Sequence, residues 1–224
     1  MDYFKNKVVQ KPWGNEYVVY SNKNISITLL NIKRNNSTSL HCHSKKKTGF
    51  IILEGEANIQ LGLYKSTSEK FKAPSKLMIR PGLFHKISSI GGKNLVALEI
   101  ETPNDKFDLV RFEDKYGREN KTYETKSFTS KDLNRSTLIN LNINKNMTYK
   151  FNDSRLIIKS FENLKFIKNS IAYKNIFALI KGRIVNKYDK DVLPLGDIVR
   201  TGTLKKLSNK FKIKNKATFL IIRK

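Results

Sequence analysis

The chain has 224 residues, 39% of them hydrophobic and 10% aromatic, which is enough apolar material for one or two packed domains. No run approaches the roughly 20 consecutive apolar residues that a membrane-spanning helix needs, so we expect no membrane partner. The single cysteine, Cys42, excludes an internal disulfide framework and a cysteine-based zinc finger. Residues 1–24 also lack the apolar stretch of a secretory signal. We therefore expect a reducing, cytoplasmic setting.

Charge is the most unusual property of the sequence. Lys and Arg number 44 against 19 Asp and Glu, giving a net charge of +25, and residues 125–224 carry 23 of the basic residues and 6 of the acidic ones. One interpretation is a polyanionic partner, whose binding would weaken steeply with salt. The other is the codon bias of an AT-rich genome. The basic residues are spread along the chain and no nucleic-acid-binding module is recognisable, so we favour codon bias and expect no nucleic-acid partner.

Short runs rich in β-branched and aromatic residues follow one another along the chain, separated by Gly, Pro, Asn and Ser. They comprise residues 8–20, 24–33, 48–62, 75–82 and 94–101. This pattern is typical of an all-β sandwich or barrel. Only residues 110–119, VRFEDKYGRE, have a spacing that predicts one or two helical turns.

Two pairs of segments are similar to each other. FIILEG at 50–55 matches FALIKG at 177–182, and LMIRPG at 77–82 matches DIVRTG at 197–202. Self-similarity on this scale predicts two copies of one β-barrel.

The residues between the two copies, 119–136, are polar and lack apolar periodicity, as is typical of a linker. We therefore predict a first barrel over residues 1–118 and a second over residues 137–224. The second barrel carries most of the positive charge, so much of its surface must be solvated.

The three histidines follow a pattern that favours metal binding. His41 and His43 are two residues apart in a strand-like context, so alternation places both side chains on one face and Cys42 on the other. His85 follows a Pro-Gly turn. Neutral imidazole is the commonest ligand for transition metals, and three of them leave a coordination position open. We predict that these side chains hold one divalent metal ion: Zn, Mn, Ni or Fe.

The spacing of these histidines resembles the two motifs of the cupin superfamily. The motifs are H-x-H, a glycine twelve residues after the second histidine, and P-G-x-x-H. Cupins are small β-barrels that hold a divalent metal between their strands. Together with the repeat, the resemblance implies an all-β fold: a tandem double-stranded β-helix, or bicupin, built from jelly-roll barrels.

Residues 8–118 are similar, more narrowly, to the cupin domain of type II mannose-6-phosphate isomerases. That domain also forms the C-terminal part of mannose-1-phosphate guanylyltransferases. The similarity lies in KPWG at 11–14, in SL at 39–40 and in DLVRFEDKYGR at 108–118. It implies a metal-dependent enzyme of sugar-phosphate metabolism that interconverts an aldose and a ketose. The substrate would be a small anionic sugar phosphate or sugar nucleotide, and we expect Lys46 and Arg118 to bind it.

The chain departs from the family at Thr48, which stands where the acidic metal ligand is expected. The predicted site therefore has three histidines and no carboxylate from the motif, and the general base stays unidentified. The repeat alignment places Lys168, Ser170 and Lys205 at the histidine positions of the second copy. We expect that degenerate copy to bind no metal and to serve a structural role or to form a homodimer.

Two other functions remain open on the sequence alone. Three-histidine cupin sites without a carboxylate also occur in iron-dependent dioxygenases, which would consume oxygen with Fe²⁺. A non-catalytic cupin of a polysaccharide pathway would bind a sugar or sugar nucleotide without turnover.

Overall fold

The computed structural model describes residues 7–119, 129–130, 139, 141–168 and 174–224. The fold divides into a first unit, which ends before Leu141, and a second unit, which runs from Leu141 to Lys224. Strands dominate both units, so the all-β prediction is confirmed. The boundaries at residues 118 and 137 stay predictions, because most residues between them lie outside the described part. Within that part, no helix is long and apolar enough to cross a membrane.

Two antiparallel sheets form the first unit. The larger sheet has the strand order β12-β1-β2-β3-β10-β5-β8, and the smaller sheet has the order β11-β4-β9-β6-β7. The strands are β1 (Val8–Lys11), β2 (Gly14–Ser21), β3 (Ser26–Ile32), β4 (Leu40–Cys42), β5 (Lys47–Glu54), β6 (Glu56–Leu61), β7 (Ser68–Lys72), β8 (Ser75–Ile79), β9 (His85–Ile90), β10 (Leu95–Thr102), β11 (Val110–Glu113) and β12 (Thr129–Ser130). The strand β12, within the predicted linker, pairs with β1.

The core of the first unit is built by alternation along strands of both sheets. Phe50 on β5, Ile87 on β9 and Ala97 on β10 belong to one buried cluster, with Trp13. Since successive side chains of a strand point to opposite faces, Glu99 and Glu101 lie on the same face of β10 as Ala97. Strand β10 therefore carries two carboxylates on its core-facing side.

The predicted helical turns at residues 110–119 are wrong at their start, because Val110–Glu113 forms strand β11. This strand pairs antiparallel with β4, with Val110 opposite Cys42 and Arg111 opposite His41. The residue spacing that predicted helical turns here reflects strand alternation instead. Arg111 is half-buried, while its neighbours Val110 and Phe112 are exposed. As a consequence Arg111 lies in the same cross-strand row as a predicted metal ligand.

The second unit contains one antiparallel sheet and two short helices. The sheet order is β13-β14-β18-β15-β16, with β17 also paired to β15. Its elements are β13 (Met147–Lys150), β14 (Arg155–Phe161), α1 (Lys165–Lys168), β15 (Ile176–Val185), β16 (Asp191–Leu193), β17 (Ile198–Arg200), α2 (Thr201–Ser208) and β18 (Lys212–Arg223). Leu164, Ile167 and Leu204 bury against Phe177 and Phe219 of the sheet.

The repeat seen in the sequence has a structural counterpart in its first pair of segments. Gly55 and Gly182 both have a left-handed φ, 83° and 87°. A Cβ atom at either position would lie within 2.7 Å of a backbone oxygen of the neighbouring strand, so only glycine fits.

The positions that the repeat alignment pairs with the histidines lie in different kinds of secondary structure. His85 begins strand β9, whereas Lys205 lies in helix α2. Lys168 ends helix α1, and Ser170 lies outside the described residues. The second barrel therefore stays a prediction.

Asp108 anchors the turn that links β4 to β5. Its carboxylate accepts hydrogen bonds from the Ser44 backbone N–H (2.8 Å) and hydroxyl (2.7 Å) and from the backbone N–H groups of Lys45 and Lys46 (both 2.9 Å). Its backbone carbonyl accepts a hydrogen bond from Nδ1 of His43. Burial alone would raise the pKa of Asp108, but these bonds hold that pKa well below its usual range. The side chain thus fixes the segment that carries His43.

We predict that Asp108→Asn lowers the free energy of unfolding of the first unit by about 2 kcal/mol, since hydrogen bonds to a charged group contribute about 1.5–3 kcal/mol. Urea unfolding followed by the fluorescence of Trp13, the only tryptophan, measures this change. Asp105→Asn is the matched control, because the Asp105 side chain accepts one backbone hydrogen bond, from Phe107. Equal stability of the two variants would contradict the anchoring role.

The lowered pKa of Asp108 also predicts a pH dependence. Its stabilising effect is fully present above the unfolded-state pKa of about 3.9 and is lost as the pH falls below that value. Wild-type stability should therefore decrease more steeply than that of Asp108→Asn between about pH 5 and pH 3. Parallel pH profiles of the two proteins would refute the assignment.

Candidate metal centre

The pairing of β4 with β9 brings the three histidines together. His41 lies directly opposite His85 across the two strands, and His43 follows β4 immediately. The ring centroids are 4.5 Å apart for His41 and His85, 5.1 Å for His41 and His43, and 5.5 Å for His43 and His85. All three residues are buried. The structure therefore places the three predicted ligands in one cluster.

A backbone carbonyl orients each imidazole ring. Nδ1 of His41 lies 2.9 Å from the carbonyl oxygen of Ser39, and Nδ1 of His85 lies 3.0 Å from that of Leu83. Nδ1 of His43 faces the Asp108 carbonyl in the same way. A carbonyl can only accept, so these contacts assign the proton to Nδ1 in each ring. Nε2 is left as the basic atom, which is the usual arrangement of a histidine ligand.

The environment keeps the imidazoles neutral. Burial, followed by the neighbouring imidazoles, holds the pKa of His41 well below 6.5. Burial likewise lowers the pKa of His43, and it lowers that of His85 to about 4. The buried Nε2 atoms of His43 and His85 have no hydrogen-bond partner in the part of the chain that the structure describes. Neutral rings with unsatisfied, converging Nε2 atoms fit a divalent metal ion, since such an ion would satisfy them.

A carboxylate joins the three imidazoles. The ligand atoms of His41, His43, His85 and Glu99 all lie within 4.8 Å of one another. Ligands about 2.0–2.2 Å from one metal ion are at most about 4.4 Å apart, so small side-chain movements suffice to close the cluster. Burial and the nearby carboxylates of Glu101 and Glu16 raise the pKa of Glu99. A bound cation would favour its ionised form.

Glu99 was not predicted from the sequence, because it lies outside the histidine motifs. Thr48 occupies the acidic position of the motif, and the spacing of Glu54 and Glu56 does not fit it. The available signal was the alternation of NLVALEIE, in which Leu95, Ala97, Glu99 and Glu101 share one face. Two acidic residues in line with core positions of a strand indicate a polar site inside the barrel.

Lys46, which we expected to bind substrate, is buried beside the cluster. Its Nζ atom donates to Glu101 Oε1 at 2.6 Å, and the same oxygen lies 3.5 Å from Nε2 of His43. Burial alone would raise the pKa of Glu101, but Lys46, together with His43 and Lys106, lowers it below its usual value. Lys46 therefore serves as the counter-ion of a carboxylate in this arrangement.

Arg118, the other predicted substrate contact, forms a two-pronged ion pair with Asp114. Its Nε and Nη2 atoms lie 2.8 Å and 2.9 Å from the two Asp114 carboxylate oxygens. The guanidinium also lies 5.5 Å from the centroid of the Tyr116 ring. Arg118 nevertheless lines the same cavity as His41 and His43.

The cavity around the cluster has basic and acidic walls. Its charged lining residues are Lys11, Lys46, Lys106, Arg111, Arg118, Glu16, Glu99 and Glu101. The aromatic side chains of Trp13 and Phe50 also line it. Arg111 and Lys106 were not singled out from the sequence, because only the β11–β4 pairing and the loop after β10 bring them to the histidines. A cavity of this kind combines a metal-binding end with an anion-attracting wall.

Part of the chain is similar to solved structures of other proteins, of which three serve as examples. A double-stranded β-helix protein from Klebsiella pneumoniae has 16% identity, covering 44% of this chain and 84% of that one (TM-score 0.41). A putative sugar phosphate isomerase from Acidithiobacillus ferrooxidans has 20% identity, covering 35% and 50% (TM-score 0.32). The capsular polysaccharide assembling protein CapF from Staphylococcus aureus has 13% identity, covering 48% and 32% (TM-score 0.41).

A search of curated protein sequences found no match. The family profile described as "Mannose-6-phosphate isomerase C-terminal" matches residues 2–114, which is half of the chain. The matched region contains the three histidines, Glu99 and Arg111. The chain therefore belongs to the mannose-6-phosphate isomerase C-terminal family of cupins.

Proposed function

We propose that the first unit is a metal-dependent sugar-phosphate isomerase that interconverts an aldose and a ketose. The observation that carries this proposal is the cluster of three imidazoles, of which His41 and His43 line a cavity that also has a basic wall, including Lys106 and Arg111. The metal-binding end suits a sugar carbonyl and hydroxyl, and the basic wall suits a phosphate. The family membership of the chain supports the same substrate class.

Different residues of the first unit are suited to different parts of such a reaction. A divalent ion held by His41, His43 and His85 supplies Lewis-acid polarisation when it is bound. Arg111 lies opposite His41 in the β11–β4 ladder, so its guanidinium is suited to hold an anionic group beside the metal-binding end. The aromatic wall formed by Trp13 and Phe50 excludes water from one side of the cavity.

Isomerisation also needs a base that moves a proton between C1 and C2. Besides Glu99, the carboxylates that line the cavity are those of Glu16 and Glu101. Lys11 Nζ lies 3.4 Å from Glu16, and Lys46 Nζ lies 2.6 Å from Glu101. Lys46 favours the ionised form of Glu101, which is the form that accepts a proton. Separate Glu16→Gln and Glu101→Gln variants would identify which one is required for proton exchange.

Non-catalytic binding of a sugar phosphate or sugar nucleotide is a second candidate function. It is favoured by the ion pairs of Lys11 with Glu16 and of Lys46 with Glu101, which occupy the two carboxylates that isomerisation would need as a base. The dioxygenase alternative was based on a site without a carboxylate, and Glu99 lies beside the histidines. That alternative therefore has no observation in its favour.

Isomerase activity is expected with Zn²⁺, Mn²⁺, Ni²⁺ or Fe²⁺ on mannose 6-phosphate or a related hexose or pentose phosphate. His85→Ala should lower kcat/KM more than about 100-fold, since Lewis-acid stabilisation contributes several kcal/mol. Proton exchange at C2, followed by NMR in D₂O, measures the reaction directly.

Circular dichroism of His85→Ala controls for folding in that experiment. Calorimetric binding of the sugar phosphate without exchange, with every metal, would replace the isomerase proposal by the non-catalytic one. Oxygen consumption in the presence of Fe²⁺, without isomerisation of a sugar phosphate, would contradict both the isomerase proposal and the non-catalytic one.

Arg111→Met should weaken binding of the sugar phosphate about 10- to 100-fold, because a charge-assisted hydrogen bond contributes about 1.5–3 kcal/mol. Arg80→Met is the matched control, since Arg80 is exposed and is not among the residues that line the cavity. Isothermal titration calorimetry with the phosphorylated and the unphosphorylated sugar measures the difference. If Arg111→Met weakened both ligands equally, Arg111 would not contact the phosphate.

A further inference from the structure

Strand β10 presents two glutamates to the interior of the first unit, and their surroundings differ. Glu99 and Glu101 are two residues apart, so both point to the face that carries the core residue Ala97. Two carboxylates this close, one buried and one half-buried, repel each other unless each has a positive partner. The identity of those partners therefore decides what each glutamate does.

Glu101 already has its partner. Lys46 Nζ lies 2.6 Å from its carboxylate, and both side chains are more than nine-tenths buried. In the β10–β5 ladder Glu101 stands opposite Thr48, whose buried hydroxyl has no hydrogen-bond partner among the described residues. Glu101 and Lys46 thus form a neutral pair beside the histidines.

Glu99 lies against the imidazoles. Its carboxylate is within 4.8 Å of the ligand nitrogens of all three histidines. The buried Nε2 atoms of His43 and His85 have no hydrogen-bond partner in the described residues. A neutral imidazole whose Nδ1 carries the proton cannot donate from Nε2 to a carboxylate. A cation between them would satisfy both the nitrogens and the oxygen.

We propose that Glu99 is the carboxylate ligand of the metal site and that the Glu101–Lys46 pair is not. The site then consists of three imidazoles and one carboxylate, drawn from β4, the residue after it, β9 and β10 of the two sheets. The inference rests on the metal binding in the proposed function and adds the ligand that the histidine motif does not contain.

Metal affinity tests the assignment independently of any turnover. Glu99→Gln should weaken Zn²⁺ binding by at least about 100-fold in a chelator competition, because even the partners that orient a ligand contribute about 10- to 100-fold. The visible spectrum of the Co²⁺-loaded protein should change in the same variant, since an oxygen ligand is lost. Glu113→Gln, an exposed glutamate on β11, is the matched control and should bind like the wild type.

Two further variants separate a ligand from a merely structural carboxylate. Glu99→Asp keeps the charge and withdraws the oxygen by one methylene, so it should bind metal with intermediate affinity even if Glu99→Gln fails to fold. Thr48→Glu added to Glu99→Gln places a carboxylate on the adjacent strand, at a residue that shares the core-facing side of β5 with Phe50. This double variant should recover at least about tenfold of the lost affinity if a carboxylate ligand is what the site requires.

The outcomes distinguish this inference from the proposed function. Wild-type affinity in both Glu99→Gln and Glu99→Asp, together with loss in His85→Ala, would overturn the role of Glu99 and leave the isomerase proposal standing. Metal binding that requires Glu99, without isomerisation of any sugar phosphate, would overturn the function and support the ligand assignment. A wild-type protein that binds none of the four metals would overturn both.

Discussion

The site depends on the three backbone carbonyls that accept hydrogen bonds from the imidazole Nδ1 atoms. For His41 and His85 the acceptor lies two residues earlier in the chain, at Ser39 and Leu83, so local backbone conformation fixes the ring. For His43 the acceptor is the carbonyl of Asp108, 65 residues later. The same Asp108 holds the turn after His43 through its carboxylate. The orientation of each imidazole ring is therefore set by a hydrogen bond to the backbone, which does not require a bound metal ion.

The second constraint is the desolvation of charge inside the barrel. Burying a carboxylate costs several kcal/mol unless it is paired, and the cavity contains those of Glu16, Glu99 and Glu101. Lysines accompany Glu16 and Glu101, at 3.4 Å and 2.6 Å. Glu99 faces the imidazoles instead. The charge balance of the interior thus points to the place beside the imidazoles where a cation fits.

The two units share a local feature and differ in what surrounds it. Gly55 and Gly182 both have a left-handed φ where a neighbouring strand approaches closely. In the second unit, however, α1 and α2 pack on the sheet through Leu164, Ile167 and Leu204. The two short segments can be similar because the need for a glycine in such a strand depends on nearby backbone. The packing partner of each sheet depends instead on residues elsewhere in the chain.

The sequence was enough to predict the all-β class, the positions of most strands in the first unit and the three histidines as one group. Those features depend on alternation, turn residues and short spacings, which are properties of neighbouring residues. It gave the wrong element at Val110–Glu113, and it did not identify Glu99, Arg111 or the pairing of Lys46 with Glu101. Each of these depends on which strands lie side by side: β11 against β4, and β10 against β5. These features are visible only in the tertiary structure. Strand pairing between residues tens of positions apart is set by burial of the whole core rather than by any local pattern.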